Sequence, residues 1–127
     1  DPLYKIEGKN VLVLGKSYKS AVPETKGSPG LGLTVVLRER GYNVEAYDPK
    51  FDAVPPRLCP DTVIVTLAEP EFGNLAAITG KGAKVVLDYA GVVDRPSLPS
   101  ETRFWQAGRG WISCSRSEID RVRPTRN

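Results

Sequence analysis

The chain predicts an α/β fold, a Rossmann-like open parallel sheet with helices on both faces, in a single domain. One observation is the recurrence of short, continuous apolar runs, NVLVL at residues 10–14, TVIVTL at 62–67 and KVVL at 84–87. Runs of this length without alternation are what strands buried on both faces of a parallel sheet require. The other is what separates them: helix-patterned or proline-rich segments long enough for crossovers. With 127 residues, 40% of them hydrophobic and 26% charged, the chain has the size of one domain with its own core.

Each element has its own local reason. Residues 10–14 form the first buried strand, and a long polar loop follows from Gly15. Ser28 is a suitable N-cap, and Pro29 fits the first helical position, where a missing N–H costs nothing. Apolar residues at Leu31, Leu33, Val35, Val36 and Leu37 continue the helix, Arg38, Glu39 and Arg40 give it a wetter last turn, and Gly41 stops it. NVEAY at 43–47 alternates as a strand and ends at Asp48-Pro49. Residues 49–60 hold four prolines and read as an irregular crossing or a short strained helix. The strand at 62–67 leads to a short helix over 69–79 with proline near its start. A fourth strand, 84–87, ends at Asp88, residues 91–100 form a loop, and 103–106 a last edge strand. The domain is expected over residues 9–111, after a linker at 1–8 and before a basic tail at 112–127.

Composition removes several classes of function. There is no histidine, so a Ser-His-Asp or Cys-His mechanism and a histidine metal site are excluded within this chain. Cys59 and Cys114 match no metal-ligand spacing and read as reduced structural thiols. No apolar run approaches the roughly 20 residues of a membrane span, and no secretion signal opens the chain, so no membrane partner and a cytoplasmic location are expected. The absence of methionine, even at position 1, implies a chain processed or cut from something longer. The net charge of +3 matches the excess of Arg103, Arg109, Arg116, Arg121, Arg123 and Arg126 over Glu101, Glu118 and Asp120. Such a basic end reads as a solvated extension, with no nucleic-acid partner, because no aromatic interleaving or binding motif accompanies it.

Sheets of this kind bind ligands outside the carboxyl ends of their strands. The loop after the first strand, GKSYKSAVPETKGSP at 15–29, lies there, as do Asp48, residues 68–70 and residues 88–91. The loop lacks the G-x-G-x-x-G of a dinucleotide site. Asp48 follows Gly15 by 33 residues, whereas an acid on an NAD ribose comes about 20 residues after the glycines, so Asp48 reads as a turn former.

The loop's pattern, G-x-S-Y-K then T-K-x-S-P, followed by a helix and by RGYNVEAYDP at 40–49, resembles the C-terminal, UDP-binding domain of the UDP-glucose/GDP-mannose dehydrogenase family. The UDP-N-acetylmannosamine dehydrogenase type is the most similar. EPEFGNL at 69–75, VVLDYAGVV at 85–93 and FWQAGRG at 104–110 are similar to later family segments, so the resemblance covers about residues 8–111. It implies a Rossmann-like domain that closes over the UDP half of a nucleotide sugar. In complete family members NAD and the catalytic cysteine belong to a separate N-terminal domain, a helical segment makes the dimer, and a sugar C6 alcohol is oxidised to a carboxylate.

Carried over to this sequence, the resemblance implies a substrate-binding set of Ser17, Tyr18, Lys19, Lys26 and Ser28, with no catalytic residue, metal or cofactor in this chain. Physical chemistry is compatible with that set. Lys19 offers a compact cation with three donors, Tyr18 an amphipathic surface, and the helix starting at Ser28 free N–H groups and a positive dipole end. Residue type alone favours Lys16, Lys19 and Lys26 as solvated loop charges, and only the family spacing reverses that reading. The sequence also departs from the family. Lys26 replaces an arginine and its bidentate fork, Glu69 stands for a histidine, and Ala90 for an Arg or Lys whose contact is worth about 1.5–3 kcal/mol. Three functions follow: a UDP-sugar-binding domain apart from its catalytic half, a regulatory or protein-interaction module that has lost the nucleotide, or a site recruited for another anion. A monomer or weak dimer is expected.

Overall fold

The computed structural model describes residues 6–19, 22, 24–79 and 82–114. Its sheet has six strands in the order β2-β1-β3-β4-β5-β6. They are β1 (Asn10–Leu14), β2 (Asn43–Tyr47), β3 (Thr62–Val65), β4 (Val85–Asp88), β5 (Arg103–Gln106) and β6 (Gly110–Ile112). The first five are parallel, and β6 turns back antiparallel along β5. This bears out the predicted α/β sheet. The expected last edge strand, β5, is covered on its outer side by β6, which the short GWI run gave no sequence reason to expect. The sheet therefore runs past Trp111 to Ile112, and Cys114 is buried. At the other end, Ile6 packs on the core and the Glu7 N–H donates to Thr62 Oγ1 at 3.0 Å, so the end of the expected linker is pinned to the sheet. The basic residues from 115 onward and residues 1–5 lie outside the described residues.

Apolar side chains fill both faces. On one face Val11, Val13, Ile64, Val85 and Leu87 pack against Leu37 of α1 (Pro29–Glu39). On the other, Leu12, Leu14, Val63, Val65, Val86 and Phe104 pack against Phe72 and Leu75. Those two come from the segment expected as one helix over 69–79. It is instead a 3-10 turn at Pro70–Gly73 and a single α-turn, α2 (Ala76–Thr79). Phe72 and Leu75, three residues apart, still reach the same core across the break at Asn74. The α1 helix starts as expected: Ser28 Oγ accepts the Leu31 N–H at 3.2 Å, with Pro29 in the first turn. Its buried residues are Gly30, Thr34 and Leu37, while Val35 and Val36 face outward at 55% and 41% exposure.

Gly15 and Gly30 fix how closely α1 approaches the end of β1. A Cβ on Gly30 would fall on the Gly15 carbonyl oxygen, and one on Gly15, at φ +117°, would fall on Thr66 Oγ1. Thr66 in turn donates its hydroxyl to the Leu14 carbonyl at 2.8 Å. Gly30→Ala is therefore expected to push the helix off the strand and cost about 2 kcal/mol, an overpacking penalty with backbone on the other side of the clash. Urea unfolding of the variant measures it; a change below about 0.5 kcal/mol would show that the approach is not tight.

Candidate functional site

Strand register places the site. Tyr47, Leu14, Val65, Asp88 and Gln106 pair side by side across the sheet, so the chain leaves five strands along one line. The strand order reverses between β1 and β3, and the crevice at such a switch point is where open α/β sheets take ligands. The loop after β1, the turn after β2 and the turn after β3 border it.

Two fully buried carboxylates shape this edge. Asp48 accepts the Lys16 N–H at 2.9 Å and the Lys50 N–H at 3.0 Å, tying the loop after β1 to the turn after β2. This agrees with a turn-forming role. Asp88 accepts N–H bonds from Ala90, Gly91 and Val93 at 2.8–3.0 Å and one from Gln106 Nε2 at 2.9 Å. Its acceptor capacity is spent on its own loop and on Gln106 of β5. Ala90 packs beside the Phe72 cluster.

The residues singled out from sequence separate into two groups. Ser17 is buried with its hydroxyl donated to the Lys19 carbonyl at 2.9 Å, and Ser28 caps α1. Both shape the loop from within. Tyr18, 54% exposed, and Lys19 stand on its outer rim, where the ammonium lies 5.9 Å from the Tyr18 ring centroid. Lys26 is exposed and its N–H donates to Glu24 Oε1 at 3.2 Å. Tyr18 and Glu24 are joined through their backbones, which doubles the loop back on itself. Lys16, open to a solvated reading in the sequence, instead pairs with Asp52 at 2.9 Å.

A lysine the motif did not single out occupies the interior. The Lys50 ammonium pairs with Asp48 at 3.2 Å and with Glu69, at 17% side-chain exposure. Burial alone would lower its pKa; the hydrogen bonds and charges of Glu69 and Asp48 outweigh this and raise it. Tyr47, beneath this group, has its phenol raised by burial and then by Asp52, Asp48 and Glu71. The signal available in the sequence was spacing: Lys50 lies two residues beyond the acid that ends β2.

Beyond Asp88 from the loop, a separate cleft of about 460 Å³ opens at the end of β5, lined by Val93, Asp94, Arg95, Phe104, Gln106 and Arg109 among others. Tyr89, with its phenol raised by burial, packs against Trp105 in a tilted pair, 5.0 Å between centroids and 53° between planes. Cys114 is buried with its thiol raised by burial, against a lowering effect of Arg95, while Cys59 is exposed. No helix among the described residues is long and apolar enough to cross a membrane.

No family model matches the chain, and no curated protein matches it. Among solved structures it is similar to the UDP-N-acetyl-mannosamine dehydrogenase Cap5O from S. aureus, with a TM-score of 0.62 and 24% identity over 84% of this chain. That likeness shows a shared fold. The chain spans 28% of the length of that solved chain.

Asp88→Ala leaves buried N–H groups without acceptors and is expected to cost about 3 kcal/mol or more in urea unfolding; a loss under about 1 kcal/mol would contradict the assigned role. In thiol labelling of the native protein with Ellman's reagent at neutral pH, Cys59 should react at least about tenfold faster than Cys114. Equal rates would mean that Cys114 is not held in the core.

Proposed function

We propose that this chain is a UDP-sugar-binding domain of a nucleotide-sugar dehydrogenase, non-catalytic alone and working with a separate domain that holds NAD. One observation carries the reading. The loop with the Ser-Tyr-Lys and Ser-Pro motif leaves β1 at the switch point and returns to the N-terminus of α1, with Lys19 and Lys26 both exposed along it. The fold shared with a UDP-N-acetyl-mannosamine dehydrogenase supports it.

In this reading the loop meets the nucleotide from its rim. Tyr18 supplies a flat surface for the base or sugar, Lys19 and Lys26 supply cations, and the first turn of α1 presents its dipole. The buried Ser17 and Ser28 hold that geometry. The chain contributes binding and orientation, and oxidation of the sugar belongs to the NAD-bearing half.

A second reading, a protein-interaction module that no longer takes nucleotide, draws support from the crevice itself, where Lys16 and Lys50 already have acidic partners. Calorimetric titration with UDP, UDP-N-acetylmannosamine and NAD decides between the two. The expected result is binding of the UDP compounds in the high-micromolar to millimolar range, roughly 4–6 kcal/mol, no binding of NAD, and about a tenfold loss on Lys19→Ala. Failure of every UDP compound at millimolar concentration would favour the interaction module.

A further inference from the structure

The cleft of about 460 Å³ at the end of β5 is lined by no residue of the β1 loop. Its charged lining is Arg95, Arg109 and Asp94, so it carries one net positive charge. The Asp94 carboxylate lies over Gly73, with Oδ2 3.4 Å from where a Cβ on that glycine would sit. Among the described residues neither guanidinium has a carboxylate partner. Arg95 makes one long hydrogen bond, 3.4 Å, to the Ser113 carbonyl, and Arg109 is exposed.

Gln106 gives this cleft a fixed acceptor. Its side chain is buried at 6% exposure, and chemistry decides which way the amide faces. Nε2 donates to Asp88 Oδ2 at 2.9 Å and to the Val93 carbonyl at 3.3 Å, two groups that only accept. The amide oxygen, Oε1, therefore points the other way, and no group among the described residues donates to it. Every enclosed side-chain nitrogen or oxygen among the described residues has a partner, so an Oε1 without one is open, and the opening beside Gln106 is this cleft. Phe104 and Ile112 add apolar surface from β5 and β6.

We propose that this cleft is a binding site for a small organic carboxylate that also carries an N–H or O–H donor. Arg95 and Arg109 take the carboxylate, for which a guanidinium offers paired N–H groups in matching geometry. Gln106 Oε1 accepts from the donor, and Phe104 and Ile112 meet the apolar body. Solvent around the arginines keeps the affinity modest, so selection falls to the acceptor. An anion without a donor leaves Oε1 to water, and a neutral amide gains little from the guanidinium groups. None of these residues belongs to the β1 loop, so the site is independent of the nucleotide-sugar reading.

The experiment is titration of the nitrogen-labelled full chain, followed by heteronuclear NMR, with three probes of one shape. Benzoylglycine has the carboxylate, the N–H and an apolar ring; its methyl ester lacks the charge; 3-benzoylpropanoate replaces the N–H by a methylene. Benzoylglycine is expected to shift the Gln106 side-chain amide and the Arg95 and Arg109 signals with a Kd in the millimolar range. The ester and 3-benzoylpropanoate should each bind at least about fivefold more weakly, and so should benzoylglycine on Arg95→Gln or Arg109→Gln, whose unchanged spectra away from the cleft show that they are folded. Equal binding of the ester, or no loss in the two arginine variants, would mean apolar contact alone and overturns the proposal. Equal binding of 3-benzoylpropanoate removes the role of Gln106 and overturns it too. So does the absence of saturable shifts at the cleft, or shifts confined to Lys19 and Lys26, which would be general attraction of an anion to the rim.

Discussion

The contact of α1 with the end of β1 is the constraint on which the carboxyl edge depends. With hydrogen at the Cα of Gly30, the helix backbone comes against the Gly15 carbonyl, and Thr66 closes the same corner from just beyond β3. That approach fixes where α1 begins, and therefore where its N–H groups and dipole point. The described residues between Gly15 and Ser28 form a loop outside the sheet. The loop does so with its own groups, the buried Ser17 hydroxyl on the Lys19 carbonyl and a backbone link from Tyr18 to Glu24.

Around that corner, the ends of the strands are held by carboxylates. Parallel strands stop along one line, and the chain leaving each of them has backbone N–H groups with no neighbour strand to bond. Asp48 satisfies them after β1 and β2, and Asp88 after β4. Among the described residues no buried side-chain nitrogen or oxygen lacks a partner. The edge is thus preorganised by acids, which is an unusual setting for an anion. Cations at the edge are either paired with acids, Lys16 with Asp52 and Lys50 with Asp48 and Glu69, or kept on the rim, as Lys19 and Lys26 are.

This division accounts for the tension between motif and surroundings. In the nucleotide-sugar reading proposed above, the Ser-Tyr-Lys loop would meet a phosphate at its rim, while Glu69 places a negative charge on the interior lysine. Coulomb energies at this depth exceed those at an exposed rim several-fold, because less water screens them. The interior pair therefore weighs more in the balance than its single charge suggests.

The order of strands, the start of α1 at Ser28-Pro29 and the position of the polar loop were legible in the sequence, because each rests on a short-range cause: a buried apolar run, a cap, a proline, a glycine. The helical residues were legible, but not which of them face out. Val35 and Val36 carry the same apolar signal as Leu37, and only the sheet's position decides that Leu37 is covered. The β6 strand was not legible either, since a run as short as GWI gains strand identity from pairing with β5. Site residues divide in the same way. A motif located the loop, but Ser17 and Ser28 turned inward, and Lys50 entered the crevice through a partner 19 residues away in sequence. Charge partners are chosen by distance in space, and sequence spacing does not encode that distance until the sheet has brought the strand ends together.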